Sequence, residues 1–225
     1  MNVLIFGSTG MIGQGVLREC LLDEAVQRVQ TVGRTETGTL HAKLHEIVHA
    51  DLFNYEPIQS DLLGFDACFF CLGVSSAGMK EGEYQRVTYG ITLAAADILS
   101  RLNPRMIFIY VSGAGTDSSG NGRIMWARIK GLTEDALLRL PFAGAYMFRP
   151  GFIEPLNGFR SKTAAYRFFY AISKPLFPVL RSAFPNYVVS TTQIGQAMLN
   201  VATRGYSKRI LEARDIRAAA LTQPS

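Results

Sequence analysis

A chain of 225 residues is the length of one domain, or of one domain carrying a small lobe. Hydrophobic residues make up 48% and charged residues 18%, which supplies a sizeable core and excludes disorder. The formal charge of +5 comes from Lys and Arg that are scattered rather than clustered, so most of it reads as solvated surface, and no nucleic-acid motif accompanies it.

The chain opens on "NVLIF", a β-branched and aromatic run, followed by "GSTGMIG" and then "QGVLRECLL". Val16, Leu17, Cys20 and Leu21 recur at helical spacing, so the prediction is strand, glycine turn, helix. Gly7 permits a tight turn, Gly10 lets a pyrophosphate approach the backbone closely, and Gly13 lets the helix pack close on the strand. Ser8, Thr9, Met11 and Ile12 complete a turn and helix start whose free N–H groups and positive dipole end suit phosphate. Dinucleotide binding is the expectation; the alternative is a glycine turn that serves packing alone.

"RVQTVGR" reads as the second strand. Dinucleotide sites that prefer NAD end this strand on a carboxylate that holds the ribose 2′-OH. Here the end is Gly33-Arg34-Thr35, and the Arg34 guanidinium suits the 2′-phosphate of NADP by charge and fork geometry. The expected cofactor is NADP, with NAD the less favoured choice. "LHAKLHEIVHAD" spaces His41, His45 and His49 four apart, which on a helix would make a metal face. "EIVHA" is strand-like and breaks that alignment, so no metal site is expected. Asp51 follows this strand, where a carboxylate can reach an adenine amino group.

Further on, "IQSDLLG" predicts a short helix, and "FDACFFCLG" a strand apolar almost throughout, as a parallel strand covered on both faces should be. It ends on Leu72-Gly73-Val74, where the glycine lets the backbone lie against a ribose. The stretch from Glu81 to Leu102 predicts one helix, and Asn103-Pro104 ends it. "RMIFIYVSGAG" is another buried strand with Ser112 at its C-terminal end, the edge where open α/β sheets bind ligands. The alternation of strand and helix predicts an α/β fold with a parallel sheet.

Three Cys, at positions 20, 68 and 71, fit a reducing compartment rather than a disulfide framework. Cys68 and Cys71 lie three apart on a strand and point to opposite faces, against a redox or metal pair. No basic leader precedes the first strand and no run of about 18 apolar residues occurs, so cytoplasm is the expected location.

"IMWARIKG" begins a helix in which Met125, Ile129, Leu132, Ala136 and Leu140 form the predicted apolar stripe. Trp126 and Lys130 share an adjacent strip. With Gly7, Gly10, Gly13, Ser112 and Lys130 in this order, residues 1 to 155 resemble the short-chain dehydrogenase/reductase superfamily, in its extended or atypical branch of epimerase-like and Tat-interacting-protein-like proteins. The resemblance implies a Rossmann-type doubly wound parallel sheet with a small C-terminal substrate lid: a core over 1–155, and a lid with completing elements over 156–225. It also implies Lys130 as the nicotinamide-ribose ligand and Ser112 as the polariser of a substrate oxygen. In that superfamily a Tyr four residues before the Lys passes the proton while hydride moves at the nicotinamide. Here that position is Trp126, whose indole N–H donates a hydrogen bond but has no useful acidity.

"AGAYMFRPGFIEP" reads as a strand followed by Pro150-Gly151, from which the resemblance directs Phe152 and Ile153 at the nicotinamide carboxamide. Residues 157 to 184 are rich in aromatics, with basic residues and prolines. Such a face suits an apolar substrate, a homodimer contact or a membrane surface, although the prolines break any long amphipathic helix. "VVSTTQIGQAMLNVAT" predicts a helix entered at Ser190/Thr191, and "KRILEARDIRAAA" a final strand and tail. Two functions stay open. One is an NADP-dependent oxidoreductase-like protein acting by hydride transfer on a small carbonyl/alcohol pair. The other is a catalytically silent nucleotide-sensing or interaction module.

Overall fold

The computed structural model describes residues 1–156 and 187–221. The opening is β1 (Asn2–Phe6), a glycine turn and α1 (Met11–Leu22), and Val16, Leu17, Cys20 and Leu21 are all buried. β2 (Arg28–Gly33), β3 (Leu44–Val48), a 3₁₀ turn over Glu56–Leu62 and β4 (Ala67–Phe70) come next. They are followed by α2 (Glu81–Gln85), a π-helical turn (Arg86–Gly90), α3 (Ile91–Leu102), β5 (Ile107–Val111) and α4 (Met125–Leu138). The chain continues through β6 (Gly144–Arg149), β7 (Phe152–Glu154), β8 (Val188–Ser190), α5 (Thr191–Arg204), β9 (Ile210–Glu212) and α6 (Ala213–Ala220).

Seven strands form one sheet in the order β3-β2-β1-β4-β5-β6-β9, with every pairing parallel. β7 and β8 pair separately, also in parallel. The apolar strands alternate between two cores, which is why they read as continuous hydrophobic runs. Val3, Ile5 and Phe69 pack with α1 and α5 on one side. Leu4, Phe6 and Phe70 pack with α3 on the other. Helices on both faces make the sheet doubly wound, as expected. The strand order reverses between β1 and β4, and a doubly wound sheet opens its ligand crevice at the carboxyl ends of the strands flanking that switch.

Several elements depart from the sequence reading. The predicted helix over 81–102 is interrupted by the π turn, next to which the Thr92 hydroxyl donates to the Thr88 carbonyl at 2.6 Å. The predicted stripe of α4 is off: Leu132 is exposed while Gly131, Thr133 and Glu134 are buried. The cause is the loop between β5 and α4, which crosses this face so closely that a Cβ at Gly131 would lie 1.8 Å from the Asp117 carbonyl oxygen. The expected C-terminal tail is instead α6, entered through a capping box between Glu212 and Asp215. α5 begins where predicted, with Ser190 capping Gln193 N and the Gln193 side chain returning to Ser190 N.

The lid expected over 156–225 lies partly outside the described residues, as does the aromatic stretch 157–184. The described remainder completes the main domain: β9 is the last strand of the large sheet and α5 covers its α1 face.

Candidate functional site

β1 ends on Gly7, whose φ of +78° only glycine adopts without strain. A Cβ there would also sit 2.6 Å from Leu72 N, so the turn after β1 touches the backbone leaving β4. Gly13 answers from the helix side: its Cβ would lie 2.1 Å from the Gly7 carbonyl oxygen. Gly13 is therefore a packing glycine, one layer behind the turn. α1 starts at an extended Gly10 with no side-chain cap, which leaves its first N–H groups and positive dipole end beside Met11 and Ile12.

A cleft of about 1050 Å³ follows the carboxyl ends of the strands. Gly7, Ser8, Thr9, Gly10, Met11 and Ile12 line its middle, and Arg34 lines one end with Gly33 and Thr35. Leu72 and Gly73 continue the wall from β4, and Ser112 from β5. Trp126 and Lys130 contribute from α4; Pro150, Gly151, Phe152 and Ile153 follow β6, and Tyr187 stands at the far rim. β2 and β5 are three strand spacings apart, so Arg34 and Lys130 approach the cleft from points about 14 Å apart along the sheet. Asp51 does not join this wall: its carboxylate accepts Phe53 N at 3.0 Å and closes a local turn, and Leu52 lines the cleft instead.

Lys130 is held at the inner wall. Its ammonium donates to the Ser112 carbonyl oxygen at 2.5 Å and lies 5.8 Å from the centre of the Tyr110 ring. Burial lowers its pKa from 10.5 to about 8, partly offset by the Glu134 carboxylate one helical turn away.

Glu134 corrects the role expected of Ser112. The Ser112 hydroxyl donates to Glu134 Oε1 at 2.5 Å and to the Phe148 carbonyl at 3.2 Å, so its proton faces the interior rather than a substrate oxygen. Arg149, at the end of β6, clamps the same carboxylate: Nε donates to Oε1 at 3.0 Å and Nη2 to Oε2. It also donates to Ser118 Oγ at 2.6 Å and to Glu212 Oε1 at 3.4 Å, and nearby carboxylates hold its pKa up against burial. A carboxylate on the helical face of Trp126 and Lys130 was the sequence cue to this network; its partner Arg149 precedes Pro150 directly.

Burial disfavours the thiolate at all three cysteines. Cys68 packs in one core and Cys71 against the other, on opposite sides of the sheet. Burial pushes the Cys71 thiol up to about 12 and raises those of Cys20 and Cys68. The histidines are dispersed: His45 lies on β3, His49 contacts the Asn54 carbonyl at 2.7 Å, and His41 Nδ1 accepts Lys43 N.

The parallel sheet, the glycine turn at its switch point and the cleft between Arg34 and Lys130 define the extended short-chain dehydrogenase/reductase fold, a Rossmann fold of dinucleotide-binding proteins. An oxidoreductase of the short-chain dehydrogenase/reductase family from Burkholderia thailandensis superposes with a TM-score of 0.67 at 16% identity, over 97% of this chain and 92% of that one. MoeE5, solved with UDP-glucose and NAD, superposes with a TM-score of 0.66 at 16% identity, over 94% of this chain and 75% of its own. In sequence, the chain is 32% identical over 155 residues to the mitochondrial protein FMP52-2 of Scheffersomyces stipitis, an alignment spanning 68% of this chain and 66% of that protein. It is 26% identical over 217 residues to the mitochondrial protein fmp52 of Emericella nidulans, covering 93% and 90%. No protein-family model matches the chain. These relatives are named mitochondrial, which overturns the cytoplasmic location expected from the absence of a basic leader.

Proposed function

We propose that the chain binds a nicotinamide dinucleotide along this cleft, NADP in preference to NAD, and transfers hydride to or from a small carbonyl/alcohol pair. The observation that carries the reading is the cleft itself. An uncapped helix start beside a glycine turn that admits no Cβ, a free arginine at one end and a half-buried lysine at the other are matched to phosphate and ribose chemistry.

Met11 and Ile12 N–H groups suit the pyrophosphate. Arg34 is exposed and makes no ion pair among the described residues, so its fork is open to a 2′-phosphate. Lys130 suits the nicotinamide ribose, with Pro150 to Ile153 beside it. The bound nicotinamide would supply the hydride. Trp126 can hold a substrate oxygen by its N–H but cannot deliver the proton. The relatives' names support a mitochondrial location.

Trp126 also favours a second reading, a nucleotide sensor without turnover. Calorimetry with NADPH and NADH, followed by NADPH consumption over a carbonyl panel, separates the two. Tighter NADPH binding with consumption supports the enzyme. Binding without consumption, with turnover appearing in Trp126→Tyr, supports the sensor. Failure of both nucleotides to bind refutes each.

A further inference from the structure

Lys130 stands on the cleft wall one helical turn after Trp126, where α4 faces the end of β5. Its side chain is half-buried, and the Ser112 carbonyl anchors its ammonium at 2.5 Å. An ammonium carries three N–H groups. The Ser112 carbonyl takes one, and Lys130 makes no other hydrogen bond among the described residues. Two N–H groups are therefore open at the wall, enough for a ribose hydroxyl and one further oxygen.

Hydride addition to a simple carbonyl leaves an alkoxide about as basic as hydroxide, whose conjugate acid has a pKa of about 15.7, so the oxygen needs a proton. Among the described residues that line the cleft, Arg34, Cys71, Lys130 and Tyr187 carry ionisable groups. Arg34 keeps its proton in proteins and approaches from a point about 14 Å away along the sheet. Burial pushes the Cys71 thiol up to about 12. Tyr187 stands at the far rim, 59% exposed, where water competes for its hydroxyl. Lys130 is left, beside the indole N–H that can hold a substrate oxygen but cannot protonate it. Burial lowers its pKa to about 8, the range of an effective proton donor near neutral pH. The acidic group that bears on it is Glu134, whose carboxylate is bound by Arg149 from β6 and by the Ser112 hydroxyl. β5 presents Tyr110, held neutral by burial with Tyr84 of α2 close by. Glu81 of α2 binds Arg128 at 2.8 Å, and Arg86 of the π turn stacks on Phe53, so both are engaged elsewhere.

We infer that the Lys130 ammonium is the general acid of this site and gives its proton to the oxygen of a carbonyl held beside Trp126. The inference rests on the nucleotide-binding and hydride-transfer reading above. In the balanced step, a C–H bond of the reduced nucleotide breaks and a C–H bond forms at the carbonyl carbon. Two electrons move with the hydride, so the nucleotide is oxidised and the carbonyl reduced. The carbonyl π pair moves to the oxygen, an N–H bond of Lys130 breaks and an O–H bond forms. The neutral Lys130 amine then takes a proton from water in the open cleft. In the reverse direction the same amine accepts the alcohol proton. Lys130 thus combines two roles on separate N–H groups, a donor to the nucleotide ribose and the acid for the substrate, and Trp126 orients the oxygen between them.

Lys130→Arg separates the two roles, because a guanidinium keeps the charge and the donors but does not release a proton. Calorimetry reads NADPH binding by wild type and variant. NADPH consumption with benzaldehyde is followed from about pH 6 to about pH 10. The Lys130 Cε signal of nucleotide-free protein labelled with carbon-13 lysine is titrated over the same range and identified by its absence from Lys130→Arg. The expected Cε midpoint is about 8, and kcat/KM should fall about tenfold per pH unit above the same midpoint. Lys130→Arg should bind NADPH within a few-fold of wild type and lose about 100-fold or more in kcat. The acid assignment is overturned, with nucleotide binding left standing, by any of four results. These are a rate that stays level through about pH 8, a Cε midpoint near 10.5, wild-type turnover in Lys130→Arg, or NADPH binding without benzaldehyde consumption. Absence of NADPH binding overturns both readings.

Discussion

Lys130 should burden the fold, and the burden should be measurable. Its pKa falls from 10.5 to about 8 on burial, which corresponds to about 3 kcal/mol. The folded pKa lies below the unfolded one, so between about pH 8 and 10.5 the unfolded chain binds the extra proton and stability rises with pH. Below pH 8 both states are protonated and the full penalty is present. Lys130→Met removes the titration while filling similar volume. Urea unfolding of both proteins from pH 7 to 10.5 should show wild type gaining about 3 kcal/mol relative to the variant over that window, with other titrations cancelling in the difference. At pH 7 the variant should be the more stable, by less than the full amount because the Ser112 carbonyl loses its donor, and it should bind NADPH more weakly. Parallel pH profiles for the two proteins would refute the reasoning.

Gly13→Ala places a Cβ 2.1 Å from a backbone oxygen; overpacking of about 3 kcal/mol should lower Tm by roughly 6–12 °C in thermal unfolding. Glu134→Gln or Arg149→Met breaks a buried, multiply bonded pair and should cost about 3–5 kcal/mol, whereas the double replacement Glu134→Met/Arg149→Met should cost much less than the two summed, as a denaturant double-mutant cycle would show. Arg34→Ser should weaken NADP binding by about 10–100-fold in calorimetry while leaving NAD within a few-fold, and equal losses for both nucleotides would remove Arg34 from the 2′-phosphate.

What the sequence disclosed follows the range of the interactions involved. The glycine turn was legible because strand, turn and helix are local, and Gly7 and Gly13 contact each other within one turn. The parallel sheet was legible because strands buried on both faces leave unbroken apolar runs. Glu134 was not, because a carboxylate on a helix looks solvated until Arg149, fifteen residues later on another element, is seen to clamp it. For the same reason Ser112 looked substrate-facing, and only the Glu134 contact turns its proton inward. Leu132 was assigned to the core by periodicity, and the loop crossing at Gly131 displaced it. The helix α6 did carry a local sign, the Glu212-x-x-Asp215 capping box, in a segment short enough to read as a tail.

The two departures from the usual dehydrogenase site concern the same chemical event. Trp126 lacks an ionisable proton, and the Ser112 proton is held by Glu134, so both differences fall on protonation of the substrate oxygen. The groups suited to the nucleotide, namely the uncapped start of α1, Arg34 and Lys130, remain presented to the cleft. Gly7 and Gly13 are fixed by packing and would persist in any scaffold, so they do not discriminate between enzyme and sensor. Lys130 does bear on it, because a half-buried ammonium whose pKa is lowered to about 8 is expected to cost the fold stability and contributes nothing to a bare scaffold.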